Sequence, residues 1–252
     1  MSTAGAGEAA AQDQTIDLTA DRERALTLTP VSRETSARLD RFVELLLSWQ
    51  SHTNLIARST IPVLWTRHIA DSLQLVDLAP RAKTWIDLGS GAGFPGIVIA
   101  CALADTDGAD IHLVESIGKK ATFLREAVQA TGAPGIVHAM RVEDFVDKEP
   151  ESIDVVTARA LAPLPKLLTL AYPLLKRGAL GLFPKGQDVA SELTDAAKYW
   201  KIDASLIASR TDEKAQIVVV SGLEPRRGGD LNQPRNKGHR PHERRDERRR
   251  RS

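Results

Sequence analysis

The chain has 252 residues, 42% of them hydrophobic, and a formal net charge of +1. This length allows one large domain with a sizeable core, and no apolar run reaches the ~18 residues that a membrane-spanning helix requires. The single cysteine, Cys101, excludes an intramolecular disulfide, so we expect a buried thiol in a protein of the reducing cytoplasm.

The N-terminal region divides into two parts. Residues 1–30 are rich in Ala, Gly and Thr and lack the basic-then-apolar layout of a signal peptide, so we expect a disordered leader. From Glu34 apolar residues recur at helical spacing, and a second helix is predicted to begin with Thr60 as its N-cap and to end before Pro80. Residues 31–80 therefore predict a helical subdomain, which is too small to stand alone and should pack on the main core.

A short apolar segment then runs into a glycine-rich loop. Trp85, Ile86 and Leu88 predict a buried strand, and residues 97–103, just after Pro95, predict a helix. The loop between them contains Gly89, Gly91, Gly93 and Gly96. A strand, a glycine loop and a helix open a doubly wound α/β unit, in which ligands bind at the carboxyl ends of the strands.

Two kinds of ligand suit this loop. The spacing Gly91-x-Gly93-x-x-Gly96 matches the dinucleotide fingerprint, although that pattern alone is a weak signal. Asp87 stands just before the first glycine, where a carboxylate disfavours a pyrophosphate but suits the cationic S-adenosylmethionine. The glycines let the backbone approach such a ligand closely. We therefore favour a methyl donor over a nicotinamide cofactor, and we expect no metal site.

The rest of the chain alternates between strands and helices. Predicted strands lie at 110–115, 136–137, 153–158, 178–183, 202–208 and 215–221, and predicted helices at 119–131, 164–175 and 189–199. The last two strands have no helix between them and predict an antiparallel hairpin. The pattern is typical of a Rossmann-like class I S-adenosylmethionine-dependent methyltransferase, with a seven-stranded, mostly parallel sheet over residues 81–222.

Three predicted strand ends carry candidate site residues. Glu115 ends the second strand, where an acid can accept both ribose hydroxyls of either cofactor. Val142 and Glu143 follow the third strand, where a backbone N–H and a carboxylate could recognise an adenine edge, or could simply form a solvated loop. Arg159 follows the fourth strand, whose end faces the reacting atoms; it is a candidate positioning residue, with a structural salt bridge as the alternative.

The C-terminal residues differ from the rest. Residues 224–252 hold eleven Lys and Arg against five Asp and Glu, a net charge of +6. This composition cannot bury enough apolar area to fold, so we expect a disordered basic tail over 223–252. The tail is either an electrostatic arm for nucleic acid or a solubilising extension.

Several motifs together resemble the RsmG (GidB) family of bacterial 16S rRNA methyltransferases. They are Asp-Leu-Gly-Ser-Gly-Ala-Gly-Phe-Pro-Gly from Asp87, Arg-Val-Glu-Asp from Arg141, Thr-Ala-Arg-Ala-x-Ala-Pro-Leu from Thr157, Asn54-Leu55, and Arg67-His68-x-x-Asp71-Ser72. The resemblance covers roughly residues 39–221. It implies an enzyme that methylates N7 of one guanosine in a loop of 16S rRNA, and it places these residues at S-adenosylmethionine: Gly89, Phe94, Val142, Glu143 and Arg159.

This chemistry needs no general base, because guanine N7 carries a free lone pair and no proton. In-line transfer then depends on orientation, and the target should be an exposed or turned-out base. The candidate RNA-side residues are Asn54, Arg67, His68 and Lys185, although His68 could be a packing residue and Lys185 a solvated charge. We expect a cytoplasmic monomer that binds the small ribosomal subunit. An NAD-dependent oxidoreductase and a non-catalytic RNA-binding assembly factor are the alternatives.

Overall fold

A seven-stranded sheet forms the centre of the computed structural model, which describes residues 17–146 and 152–226. Its strands are β1 (Thr84–Leu88), β2 (Asp110–Val114), β3 (Gly135–His138), β4 (Val155–Thr157), β5 (Leu180–Lys185), β6 (Trp200–Ala208) and β7 (Gln216–Pro225). In space their order is β3-β2-β1-β4-β5-β7-β6. The first five strands are parallel, whereas β7 runs antiparallel to both β5 and β6. The predicted mostly parallel sheet with a terminal hairpin is confirmed.

The strand order reverses beside β1, which lies between β2 and β4. Asp87 of β1 is level with Leu113 of β2 and with Thr157 of β4. The carboxyl ends of the three strands therefore open on one edge of the sheet at a similar height. In doubly wound sheets such a reversal leaves a crevice beyond the strand ends, where ligands bind.

Helices flank the sheet. They are α1 (Thr19–Leu28), α2 (Arg33–Gln50), α3 (Asp71–Leu78), α4 (Gly96–Ala102), α5 (Gly118–Thr131), α6 (Val142–Val146), α7 (Leu164–Leu175) and α8 (Val189–Ala196). A 3₁₀ turn (Arg58–Val63) and a π-helical turn (Trp65–Ala70) lead directly into α3. In the described part of the chain, no helix combines the length and the apolar character needed to cross a bilayer.

The alternating side chains of β1 contribute to two hydrophobic cores. Trp85 belongs to the core that α2, α3, α4 and α5 build on one face of the sheet. Ile86 and Leu88 belong to the core that α6, α7 and α8 build on the other. Successive residues of a strand point to opposite faces, so a continuous apolar strand, as predicted for β1, is the natural sequence for a strand covered on both sides.

The helices before β1 share the first of these cores. Phe42 of α2 packs against Phe94 and Phe123, with ring centroids 5.3 and 6.2 Å away. Cys101 of α4 is buried in the same core, and burial raises the pKa of its thiol to about 12. The expected buried thiol is thus confirmed, and the N-terminal helices form part of the sheet's own packing.

Helix α1 corrects part of the predicted disordered leader, because residues 19–28 are helical. Polar contacts hold this helix in place. Arg22 donates to both carboxylate oxygens of Asp40, at 2.7 and 2.8 Å. Asp21 accepts from the backbone N–H of Trp65 at 2.7 Å and from the hydroxyl of Thr66 at 2.5 Å. These partners are distant in sequence, so composition alone did not reveal the helix. Residues 1–16 of the leader lie outside the described part.

Two further differences from the prediction concern the start of the second predicted helix and the end of the last strand. Thr60 is not a helix cap: it lies inside the 3₁₀ turn, and its hydroxyl donates to the carbonyl of Ala57 at 2.8 Å. Strand β7 continues to Pro225, three residues into the predicted tail, because it pairs with β6 along its whole length. The tail beyond Arg226 lies outside the described residues.

Candidate active site

The glycine loop, residues 89–95, connects β1 to α4 and has a backbone that only glycine adopts readily. Gly89 has φ = 71°, and a Cβ there would lie 2.6 Å from Cδ1 of Leu161. Gly91 has φ = 56°, yet a Cβ there would have only the carbonyl oxygen of Gly89 within 4 Å, at 3.7 Å. Left-handed φ values are costly for residues with a side chain. Gly91 therefore leaves open space above the loop.

Asp87 does not face this space, which corrects the prediction of a direct contact with a cationic ligand. Its Oδ2 accepts from the backbone N–H of Gly96 at 3.1 Å, and its Oδ1 accepts from the Thr157 hydroxyl at 3.2 Å. The side chain is buried on the same face of β1 as Trp85, and burial raises the pKa of its carboxyl to about 6. Asp87 thus supports the start of α4 from below the loop.

Glu115, directly after β2, holds the loop from the other side. Its Oε2 accepts from the backbone N–H of Gly91 at 2.9 Å, and its Oε1 accepts from the N–H of Ile117 at 2.7 Å. Each carboxylate oxygen can accept two hydrogen bonds. Glu115 therefore fixes the loop and keeps acceptor capacity toward a ligand.

A cavity of about 420 Å³, here called the loop cavity, opens above the loop at the carboxyl ends of β1 and β2. Six of the predicted cofactor residues line it: Gly89, Gly91, Phe94, Glu115, Val142 and Arg159. Residues from the segment before α3 close one side of the cavity, including Ile56, Thr60 and His68. Residues from three predicted strand ends, Glu115, Val142 and Arg159, thus converge on one space.

Arg159 forms a wall of this cavity and is held from several directions. Its Nη2 donates to Nδ1 of His68 at 2.8 Å, and its Nη1 donates to the carbonyl oxygen of Arg67 at 3.3 Å and to Oδ2 of Asp71 at 3.4 Å. Its guanidinium carbon lies 5.0 Å from the centroid of the Phe94 ring. Arg159 therefore forms a salt bridge, with Asp71, as the alternative prediction had it. It also lines the loop cavity, and these contacts hold its guanidinium in one orientation.

His68 is a neutral acceptor for Arg159. Since its Nδ1 accepts, its Nε2 carries the proton and donates to the Thr60 hydroxyl at 2.9 Å. The ring stacks on Phe94 with centroids 4.9 Å apart. Burial, and then the charges of Arg159 and Arg67, lower the pKa of His68 to about 3. His68 is thus uncharged at neutral pH.

A second cavity of about 630 Å³, here called the adjoining cavity, lies on the other side of this wall. The two cavities share Thr60, His68, Arg159, Ala160 and Leu161. Ala160 has φ = 55°, which is unusual for a residue with a Cβ and marks a tight turn after β4. The adjoining cavity extends from this turn to the end of β5.

Three of the predicted RNA-side residues line the adjoining cavity: Arg67, His68 and Lys185. Lys185, at the end of β5, donates to the carbonyl oxygen of Ala162 at 3.0 Å and to Oε2 of Glu192 at 2.8 Å. Arg67 is more exposed and forms an ion pair with Asp212 at 3.3 Å. These residues are therefore grouped together beside the loop cavity.

Other predicted residues lie elsewhere. Gly93 is below the loop, where a Cβ would lie 2.8 Å from Ile97. Glu143 is exposed on α6 and lines neither cavity. Asn54 lies beside a shallow depression formed by residues 54–58. No group of three or more His, Cys, Asp or Glu side chains in residues 17–146 and 152–226 could hold a metal ion.

Sequence reasoning missed several lining residues. Ser116 and Lys120 follow β2, and Met140 follows β3; all three could have been found, because the carboxyl ends of the strands were already the expected site. Asp71 lies in a motif that was recognised without a role. Glu192 carries no local signal, since only the packing of α8 brings it to the adjoining cavity.

Comparison with known proteins agrees with this architecture. The family model described as rRNA small subunit methyltransferase G (GidB) matches residues 35–217. A ribosomal RNA small subunit methyltransferase G of Bradyrhizobium sp. strain BTAi1 is 62% identical over 207 residues, which cover 82% of this chain and 93% of the relative. The protein of the same name from Nitrobacter hamburgensis is 61% identical over 207 residues, covering 82% and 80%.

Solved structures show the same fold at low identity. An O-methyltransferase from Bacillus cereus, in complex with SAH, has a TM-score of 0.54 at 14% identity and covers 81% of this chain and 98% of its own. A putative O-methyltransferase from Klebsiella pneumoniae has a TM-score of 0.52 at 14% identity, covering 81% and 97%.

The sheet order and the glycine loop at the end of β1 define a class I methyltransferase fold. The motif resemblance is confirmed by the family match over 35–217 and by relatives above 60% identity. The chain belongs to the rRNA small subunit methyltransferase G family.

Proposed function

We propose that this protein transfers a methyl group from S-adenosylmethionine to N7 of a specific guanosine in the 16S rRNA of the small ribosomal subunit, in the cytoplasm. One observation carries the proposal: the loop cavity and the adjoining cavity meet at Arg159. A donor in the first cavity and a nucleotide in the second would approach each other across this wall. Both volumes lie within the roughly 300–1,000 Å³ of small-molecule sites.

The residues of the loop cavity suit S-adenosylmethionine. Glu115 retains lone pairs for the ribose hydroxyls after binding two backbone N–H groups. Val142 begins α6, and the first N–H groups of a helix have no partner within it, so they are available to an adenine edge. Gly91 leaves room for the methionine part. Family membership favours the methyl donor over a nicotinamide cofactor.

The adjoining cavity suits the target nucleotide. A duplex hides purine N7 in a deep groove, so a turned-out base needs a pocket of its own. Arg67 supplies positive charge for the RNA backbone from a side chain that is about half exposed, whereas Lys185 is paired with Glu192. Substrate and donor would then both be held beyond the strand ends, which favours orientation as the main source of catalysis.

S-adenosylmethionine supplies an electrophilic methyl group, whose bonding electron pair remains on sulfur while the N7 lone pair forms the new bond. No proton moves at N7, so no general base is required. Arg159 is our candidate positioning residue: its guanidinium is fixed by His68 and Asp71 at the boundary of the two cavities. Neutral His68 adds no second positive charge there.

Mapping 7-methylguanosine in 16S rRNA, from cells with and without the gene for this protein, tests the proposal. We expect one 7-methylguanosine to disappear without the protein and to return with it. Unchanged methylation in the deletion strain would refute the N7 assignment.

Two assays separate the alternatives. Stabilisation against heat by S-adenosylhomocysteine, and not by NADH, supports the methyl donor; stabilisation by NADH alone would support an oxidoreductase. Labelled donor incubated with the purified protein and small subunits should label 16S rRNA. Donor binding without any label in the rRNA would favour a non-catalytic assembly factor.

A further inference from the structure

The reacting atom cannot distinguish guanine from adenine. Both purines present an N7 lone pair at the same position, and they differ at O6 against N6 and at the N1 and C2 positions. An enzyme that methylates N7 of guanine must therefore recognise a second group of the base, either O6 beside N7 or the N1–H and 2-amino group of the Watson–Crick edge. In a turned-out nucleotide the Watson–Crick edge is free for this purpose.

Glu192 has the chemistry that this edge requires. It lines the adjoining cavity from α8, and its side chain is 26% exposed. Its Oε2 is fixed by two donors, Lys185 Nζ at 2.8 Å and the backbone N–H of Leu164 at 2.5 Å. Its Oε1 has no hydrogen-bond partner among residues 17–146 and 152–226. One half of the carboxylate is thus anchored, while the other half can accept hydrogen bonds.

The other polar groups of the cavity serve less well. Asp71 is already satisfied: its Oδ1 accepts from Gln74 at 3.0 Å and from Thr211 at 3.1 Å, and its Oδ2 faces Arg159 at 3.4 Å. Gln216 also lines the cavity, but an amide can both donate and accept and so discriminates poorly. Glu192 is therefore the carboxylate with free acceptor capacity.

We propose that Glu192 selects guanine by accepting hydrogen bonds from N1–H and from the 2-amino group at its Oε1. This inference rests on the proposed function, because it places the target base in the adjoining cavity. Adenine would present a lone pair at N1 to the carboxylate and would be repelled. As the methyl group is transferred, positive charge develops on guanine, and a nearby carboxylate stabilises that charge in the transition state.

The first test needs no variant. Small subunits are assembled with 16S rRNA that carries either guanosine or inosine at the methylated position, and single-turnover transfer by the full-length protein is measured. Inosine keeps N7, O6 and N1–H but lacks the 2-amino group. Since a hydrogen bond to a charged group is lost, we expect transfer to inosine at least about tenfold slower. Equal rates would overturn the proposal.

The second test uses Glu192→Gln with Asp195→Asn as the matched control. The glutamine oxygen can still accept from the N–H of Leu164, so the start of α7 keeps its partner. Its NH₂ group then faces the N1–H donor, so transfer to guanosine should fall about tenfold or more and the preference over inosine should disappear. Asp195 lies on the same helix, pairs with exposed Lys198 and lines neither cavity, so this variant should behave as wild type.

The affinity for S-adenosylhomocysteine should be unchanged in Glu192→Gln, and thermal unfolding measures the stability lost with the charge pair to Lys185. A variant that keeps the preference for guanosine, or that loses rate only in proportion to lost stability, would show that the pair with Lys185 is structural. If the proposed function itself were wrong, the wild-type protein would form no 7-methylguanosine at all on the guanosine substrate.

Discussion

The space above Gly91 allows a sharp test of where the donor binds. In Gly91→Ala the new Cβ has no protein atom closer than 3.7 Å, and the N–H that bonds Glu115 is retained. The substitution should therefore lower the free energy of unfolding mainly through the strain of a left-handed φ of 56°, by about 1 kcal/mol. For a domain of this size, that corresponds to a fall in melting temperature of about 2–4 °C.

The effect on the ligand should be much larger. If the donor packs against the loop, the methyl group occupies its space, and overpacking of this kind costs about 1–3 kcal/mol. The affinity for S-adenosylhomocysteine should therefore fall roughly 5- to 150-fold. Titration calorimetry measures this loss directly, and thermal unfolding in the absence of ligand measures the strain.

Gly132→Ala is the matched control. Gly132 ends α5 with φ = 63°, has no atom within 4 Å of an added Cβ, and lines neither cavity. It should lose about as much stability as Gly91→Ala but keep the affinity of the wild type for S-adenosylhomocysteine. Equal affinities for the two variants would refute the assignment of the loop cavity to the donor.

Three further predictions follow from the site and the tail. Asp87→Asn should stabilise the protein at neutral pH by up to about 3 kcal/mol, because burial raises the carboxyl pKa to about 6 and ionisation is costly in the fold. The stability that protonated Asp87 provides is fully present below the pKa of this carboxyl in the unfolded chain and is lost as the pH rises through 6. In melting curves recorded between about pH 4 and pH 8, the melting temperature of the wild type should therefore fall relative to that of Asp87→Asn as the pH is raised. His68→Leu should slow methyl transfer about tenfold more than His68→Asn, whose oxygen can replace Nδ1, because an unpaired Arg159 donor is costly. Since the pKa of His68 is about 3, the rates of the wild type and of His68→Asn should depend on pH in the same way between about pH 6 and pH 7. Truncation after Arg226, which keeps the bond of its N–H to Tyr199, should lower the slope of RNA binding against log salt by ~0.7 to 0.9 per lost phosphate contact; an unchanged slope would exclude contact between the tail and RNA.

The sheet and half of the site could be predicted from local pattern. Apolar runs of strand length, separated by helical periods, predict a mostly parallel sheet, because neighbouring parallel strands need a crossover connection that is usually a helix. The strand-end rule then brought Glu115, Val142 and Arg159 to one cavity, although they are far apart in the chain. The sheet and the position of these residues could be predicted because each depended on one element and on the general geometry of the fold.

Features that depend on partners distant in sequence could not be predicted in this way. Helix α1 fully buries only Ala25, and its polar contacts go to Asp40 and to the backbone near Trp65. The free oxygen of Glu192 exists only because Lys185 and the start of α7 occupy the other one. Such arrangements combine a residue with tertiary neighbours, and a single sequence contains no pattern for them.

Asp87, just before the first glycine, contributes to the site for a physical reason other than the predicted contact with a cationic ligand. A Cβ at Gly96 would lie 2.3 Å from Cδ2 of Leu113 and 2.7 Å from Oδ2 of Asp87, and the N–H of Gly96 is a donor that this buried oxygen requires. The acid and the last glycine therefore specify each other, and together they fix where α4 begins. The charge still matters at a distance, since Arg159 lowers the pKa that burial raises. Asp87 would thus act on a cationic donor through its field and through the loop that it supports, without touching the donor.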